Sequence, residues 1–181
     1  MIYDENFSNM VMLIDWRNEK LLKIFNDNEY SYPFWSPDGN LMLVNYKDDS
    51  IYRADISDNY IGEPIRQLTL PDIGRTHSIS PDGTKLAFQV HSHIWTVNMD
   101  GTDLKNVTIP STGYERRPVW SKDSRYLIAQ HSEYNNLYGH LFLVASDAEN
   151  IKAEYGKPNI FSVKDNEGGS LYIRENMIYI P

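Results

Sequence analysis

Five histidines, His77, His91, His93, His131 and His140, fall in the stretches of this sequence richest in polar chemistry, together with Arg75, Arg116, Arg117, Tyr114 and Tyr134. An imidazole can serve as base, acid or metal ligand near neutral pH, and an arginine fork grips a carboxylate. In "QVHSH", 89 to 93, two imidazoles stand at i and i+2. On one strand such residues point the same way, so His91 and His93 are placed to share a divalent cation, with His77 or His131 completing the shell. Arg116 and Arg117 beside Tyr114 suit a carboxylate or the acidic side chain of a partner. Each group also has a plainer reading. A histidine at a strand entrance bonds a neighbouring turn, nearby loop histidines are solvated, and paired arginines are ordinary surface charge.

Other chemistries are excluded by composition. There is no cysteine, which removes disulfides, thiolate metal sites and a cysteine nucleophile together. A net charge of -8 argues against an electrostatic grip on nucleic acid or anionic lipid. No Gly-x-Ser-x-Gly nucleophile elbow is present. The acidic stretches "NMDGTD", 98 to 103, and "DNEGG", 165 to 169, lack the ligand ladder of a calcium loop and read as turns. No apolar run approaches the roughly 18 residues of a membrane span. Met1 is followed by "IYDEN", so the chain as given has no signal-peptide pattern.

What must position the polar groups is a repeat. "PFWSPDGNLMLV" at 33 to 44, "HSISPDGTKLAF" at 77 to 88 and "PVWSKDSRYLIA" at 118 to 129 are copies of one unit. Ser36, Ser80 and Ser121 recur at about 40 residues, the period of a four-stranded propeller blade. Ser-Pro-Asp-Gly makes the tight turn: proline presets φ, while Asp and Gly accept the left-handed backbone that a hairpin needs. The third copy, Lys122-Asp123-Ser124, lacks both Pro and Gly and predicts a looser turn. The runs after each turn are apolar at successive positions, as in a strand covered on both faces. Third strands follow at "VMLID", "IYRAD", "IWTVN" and "LFLVA", and fourth strands at "LLKIF", "IRQLT", "LKNVT" and "IKAEY". Each unit therefore reads as strands a, b, c and d, with no amphipathic helix. Trp35, Trp95 and Trp120 are expected between blades, and Trp16 lies outside the pattern.

In this architecture the a-b and c-d turns lie on one face, and the b-c and d-a connections on the other. The second face collects all five histidines and the arginine and tyrosine set. One b-c connection, "HSEYNNLYGH", carries an insertion of about six residues, and long connections on a rigid scaffold are where binding groups tend to sit. His77 takes the place that Pro33 and Pro118 hold in the other copies, at the entrance of an inner strand.

These copies, above all "WSPDG" at 35 to 39, resemble the TolB-like propeller repeat. The resemblance implies an all-β fold: one propeller domain or propeller segment over 1 to 181, of about four four-stranded blades, or a portion of a six- or seven-bladed ring. Closure with four blades requires residues 159 to 181 to supply strands a and b to the N-terminal c and d strands. The resemblance also implies the cell envelope or periplasm, and a non-catalytic scaffold with no cofactor. Its partner would be a protein or peptide on the face of the b-c and d-a loops, met by His77, Arg75, Arg116, Arg117, Tyr114 and Tyr134. The alternative is a lyase or hydrolase on an acidic sugar, similar to oligogalacturonate lyases. Its divalent metal would sit at His77, His91, His93 and His131, and Arg75 or Arg117 would hold the carboxylate. Fold alone does not choose between them.

Overall fold

The computed structural model describes residues 11–25, 29–57, 60–72, 74, 76–109, 113–133, 139–153, 161–163, 167 and 172–173. They fall in two compact units, Met1–Ile73 and Gly74–Pro181. Among the described residues there is no helix, hence none long and apolar enough to cross a membrane.

In the first unit, β1 (Val11–Asp15) and β2 (Lys20–Phe25) form a two-stranded ribbon. It lies beside a four-stranded antiparallel sheet of β3 (Ser31–Trp35), β4 (Leu41–Asn45), β5 (Ser50–Ala54) and β8 (Ile65–Thr69). A small hairpin, β6 (Ile56–Ser57) and β7 (Tyr60–Ile61), occupies the link before β8. Every residue of β4 is buried, and its apolar run Leu41–Val44 is what a strand covered on both faces requires. Val11 and Phe25 of the ribbon pack on Leu41, Leu43 and Ala54 of the sheet.

The second unit holds two more such sheets. One is β9 (His77–Ile79), β10 (Lys85–Val90), β11 (His93–Asn98) and β12 (Lys105–Asn106), paired in that order. After β13 (Thr108–Ile109), the other comprises β14 (Gly113–Trp120), β15 (Tyr126–Glu133) and β16 (Gly139–Ala145). Ala87, Ile94 and Val107 of the first sheet and its outlet meet Trp120, Leu127, Ala129, Phe142 and Val144 of the second.

The repeat is therefore a four-stranded antiparallel blade, and the three a-b turns share one hydrogen-bond pattern. Each turn serine donates from Oγ to the aspartate two residues on: Ser36 to Asp38, Ser80 to Asp82 at 2.6 Å and Ser121 to Asp123 at 2.6 Å. Gly39 and Gly83 hold φ of 85° and 74°. Ser124 takes the same left-handed place at 61°, and its N–H still donates to the Ser121 carbonyl at 2.9 Å. The third turn is thus as closed as the others. The Ser-Asp bond, which all three copies keep, holds it without proline or glycine.

Three expectations are corrected. The described residues of "IKAEY" do not form a fourth strand: β17 (Ile151–Lys152) runs parallel to β13, and Glu154 and Tyr155 lie outside the described residues. The Ile151 N–H donates to the Val107 carbonyl at 2.9 Å, and Ala153 enters the core. The fourth-strand position on β16 is taken by β18 (Phe161–Ser162) and β19 (Tyr172–Ile173). The described strands of 159 to 181 therefore pair with β16 and are not the a and b strands expected for β1 and β2, and the rest of that stretch lies outside the described residues. Finally, Trp120 is buried at 7% exposure and donates from Nε1 to the Ser78 carbonyl of β9 at 2.8 Å, whereas its counterpart Trp35 is 56% exposed. The ribbon in front of Trp35 has only c and d strands, so no described inner strand offers that carbonyl. Trp95 is half-buried, and Trp16 is exposed.

Candidate functional site in the third blade

The inner strands differ at one position, and that difference shapes the site. Where Pro33 and Pro118 stand, the a-b ladder skips a pair, and the preceding Tyr32 and Arg117 adopt φ of 43° and 52°. Proline has no N–H to give the ladder, so the strand bulges. With His77 in that place, β9 pairs regularly, His77 opposite Phe88. In β14 the bulge resets the alternation. Gly113 and Glu115 are buried before it, Pro118 and Trp120 after it, and Tyr114 and Arg116 share the other side. Gly113 is required for this approach, because a Cβ there would lie 2.0 Å from the Ser132 carbonyl oxygen.

Glu115 is the centre of the buried side, with no exposed surface. Its Oε2 meets His93 Nδ1 at 2.7 Å and accepts from Thr108 Oγ1 at 3.2 Å. Its Oε1 meets His131 Nδ1 at 3.0 Å. The Glu115 N–H donates to the Ser92 carbonyl at 2.7 Å, and Thr108 Oγ1 accepts from the Ile94 N–H at 2.9 Å. A carboxylate that accepts from both Nδ1 atoms orients two imidazoles and keeps each Nε2 for another partner. On the opposite side of β14, the Arg116 guanidinium stacks over the Tyr114 ring, 3.9 Å from its centroid. That stack leaves the flat cationic fork held in one orientation.

The five histidines are not all in connections: His77, His93, His131 and His140 belong to strands. β10 and β11 pair as far as Val90 and His93, so only His91 and Ser92 remain to turn the chain. Both have positive φ, 43° and 74°, the geometry of a type I′ turn that favours Asn-Gly. His91 is at the exposed tip while His93 opens β11, and they are not i and i+2 on one strand. His131 and His140 lie opposite one another within β15 and β16, because the insertion lengthens that ladder as well as its connection. Desolvation alone pushes His77 down to about 4 from 6.5, so its ring is neutral at physiological pH. His77, His91, His93 and His131 do not gather, and no group of three or more His, Asp or Glu with metal-binding geometry occurs among the described residues. Arg75 and Tyr134 lie outside the described residues.

Glu115 belongs to the same polar stretch as Tyr114 and Arg116, but sequence reasoning assigns it no role. Six positions before the turn serine the copies carry Tyr30, Gly74 and Glu115. A carboxylate at a position filled elsewhere by tyrosine and glycine is the signal that would have found it.

Neither a protein-family model nor a curated protein sequence matches the chain. Solved structures do. TolB from Acinetobacter baumannii aligns at TM-score 0.60 and 16% identity, over 88% of this chain and 38% of that one. Oligogalacturonate lyase from Vibrio parahaemolyticus aligns at 0.55 and 14%, over 81% and 46%. A chain of a nidogen/laminin complex aligns at 0.53 and 16%, over 78% and 55%. At such identities the likeness is one of fold, and the fold is a TolB-like β-propeller. The chain spans well under two thirds of each of these proteins.

Proposed function

We propose that this chain, a TolB-like propeller in fold, is a non-catalytic scaffold that binds an acidic protein or peptide segment along the inner strand of its third blade. The observation that carries this reading is the Arg116 guanidinium stacked on Tyr114, next to Arg117 at a bulge whose backbone conformation is rare for a bulky side chain. Such strain persists where the surroundings over-determine it, and a fork fixed in orientation loses less freedom when it meets a carboxylate. Glu115, locked between His93 and His131, supports the strand from behind. His77 joins as a neutral imidazole, able to donate and accept without adding charge. The resemblance to TolB-like repeats suggests the cell envelope or periplasm as the place of action.

The test is calorimetric titration with a short Asp- and Glu-rich peptide and its Asn- and Gln-substituted counterpart. The acidic peptide should bind, and Arg116→Ala should remove most of the affinity while leaving the fold intact. Binding of both peptides alike, or binding indifferent to Arg116, rejects the reading.

A second reading, a metal-dependent lyase or hydrolase on an acidic sugar, is favoured by the convergence of His93 and His131 on Glu115 and by the likeness in fold to an oligogalacturonate lyase. The donor set is incomplete, since His77 and His91 do not join it. Heating with and without excess Mn²⁺ separates the readings: saturation at 100 times the dissociation constant stabilises by about 2.7 kcal/mol. A shift abolished by His93→Ala together with His131→Ala supports the enzyme.

A further inference from the structure

Two apolar sheet faces lie outside the cores formed by the described residues, one in each unit. On the β1-β2 ribbon, Val11, Leu13 and Phe25 pack inward, and the opposite face presents Met12 paired with Ile24 and Ile14 paired with Leu21. Met12 is 54% exposed and Ile14 52%. In the third blade, Trp120, Leu127 and Val144 face the second blade, and the opposite face carries a row running straight across four strands: Val119, Ile128, Leu143 and Phe161. The first three are half-buried, and Phe161 is 59% exposed. Contiguous apolar surface of this kind marks an interaction site.

The chain itself indicates what covers such faces. Within each unit a blade face packs on the facing side of the next sheet in order, ribbon on first blade and second blade on third. The turn ends then meet, as where the Asp82 N–H donates to Ser124 Oγ at 3.3 Å. The same order, continued past the third blade, calls for a sheet that presents an apolar leading face, and the ribbon is that sheet. Its c-d turn carries Trp16, which is strongly exposed. At the matching turn end of the third blade there is an open cavity of about 310 Å³ lined by Ser124, Arg125, Tyr126, Ala145, Ser146 and Asp147. Tyr126 and Ala145 form the pair two positions along from Ile128 and Leu143, on the same face.

We infer that the ribbon face of one copy of this chain docks on the outer face of the third blade of a second copy, with Trp16 entering the cavity between the turns. The contact is heterologous, face to different face, so it continues from copy to copy until it closes or extends. Each copy carries a net charge of -8, so added salt should strengthen the association by screening repulsion.

The experiment is sedimentation velocity on the full chain over a concentration and salt series, with Ile14→Lys and Phe161→Lys as probes of the two faces. Both side chains are exposed, and circular dichroism verifies that each variant stays folded. The full chain should associate, more so in salt, and each variant alone should sediment as a monomer. Mixed in equal amounts, the two should form one heterodimer and nothing larger, because each retains the face the other lacks. Trp16→Ala should weaken association by about tenfold or more, as a buried aromatic anchor does. A monomeric full chain overturns the inference, leaving both faces to a different partner. Association that survives either Lys variant, or a mixture that stays monomeric, also overturns it.

Discussion

A carboxylate without exposed surface is tolerable only if its neighbours satisfy it, and that of Glu115 has two imidazoles and a threonine hydroxyl. Removing it leaves two buried or half-buried imidazoles facing a void. Glu115→Ala should therefore cost about 3 kcal/mol or more in urea-unfolding free energy. Arg116→Ala, which ends a stack on one side of the same strand, should change stability by less than about 0.5 kcal/mol. Little shift for Glu115→Ala would mean that the Glu115 bonds do not hold β11 and β15 to β14. The imidazoles and arginines were legible as residue types, but their partners were not. His131 meets Glu115 through strand register, and His93 meets it through the packing of one sheet on the next.

At the scale of elements, the a-b turn offers a controlled comparison. A Cβ at Gly83 meets nothing within 4 Å, so Gly83→Ala should cost about 1 kcal/mol through the left-handed backbone alone. Ser124 already bears that strain, and Ser124→Gly should return roughly 0.5 kcal/mol after losing its bond from Asp82. Denaturation midpoints at constant slope would verify both signs. The tryptophans make a second comparison. Trp120→Ala should destabilise by about 3 to 5 kcal/mol, because a packed ring and a hydrogen bond are lost. Trp35→Ala should cost less than about 1 kcal/mol, since more than half of its surface is already in water. Equal costs would mean that Trp35 is covered in solution.

For the molecule as a whole, acid should act in two stages. His77 titrates near 4 in the folded state against 6.5 ordinarily, so below 6.5 the unfolded chain takes up a proton the fold refuses. Stability from this group is complete above pH 6.5 and falls as pH drops toward 4, by at most about 3 kcal/mol. Asp82 and Asp123 are held near 2, first by Ser80 and Ser121 respectively, against 3.8 ordinarily. Their contribution is present above 3.8 and disappears as pH falls through 2. His77→Gln should flatten the upper stage of a stability-versus-pH curve and leave the lower one unchanged. A curve that keeps its slope between 6.5 and 4 would show that His77 is not desolvated.

What the sequence determined by itself is the blade: the period of the turn serines, the Ser-Asp turn chemistry and the doubly covered b strands are local, and each recurs often enough to be read against its copies. Register was only partly local. "IKAEY" has the composition of a fourth strand, yet the edge of β16 is taken by β18 and β19 while β17 pairs with β13, a choice made by which segment fills the core at Ala153. The exposure of Trp35 and the burial of Trp120 follow from whether an inner strand precedes them, which no window around either tryptophan contains. The clustering of His93 and His131 on Glu115, like the separation of His91 from His93, is likewise tertiary. His131 reaches Glu115 from 16 residues away by register within one sheet, His93 reaches it from 22 residues away by the packing of one sheet on the next, and the two-residue turn leaves His91 at its tip and His93 on the strand that follows.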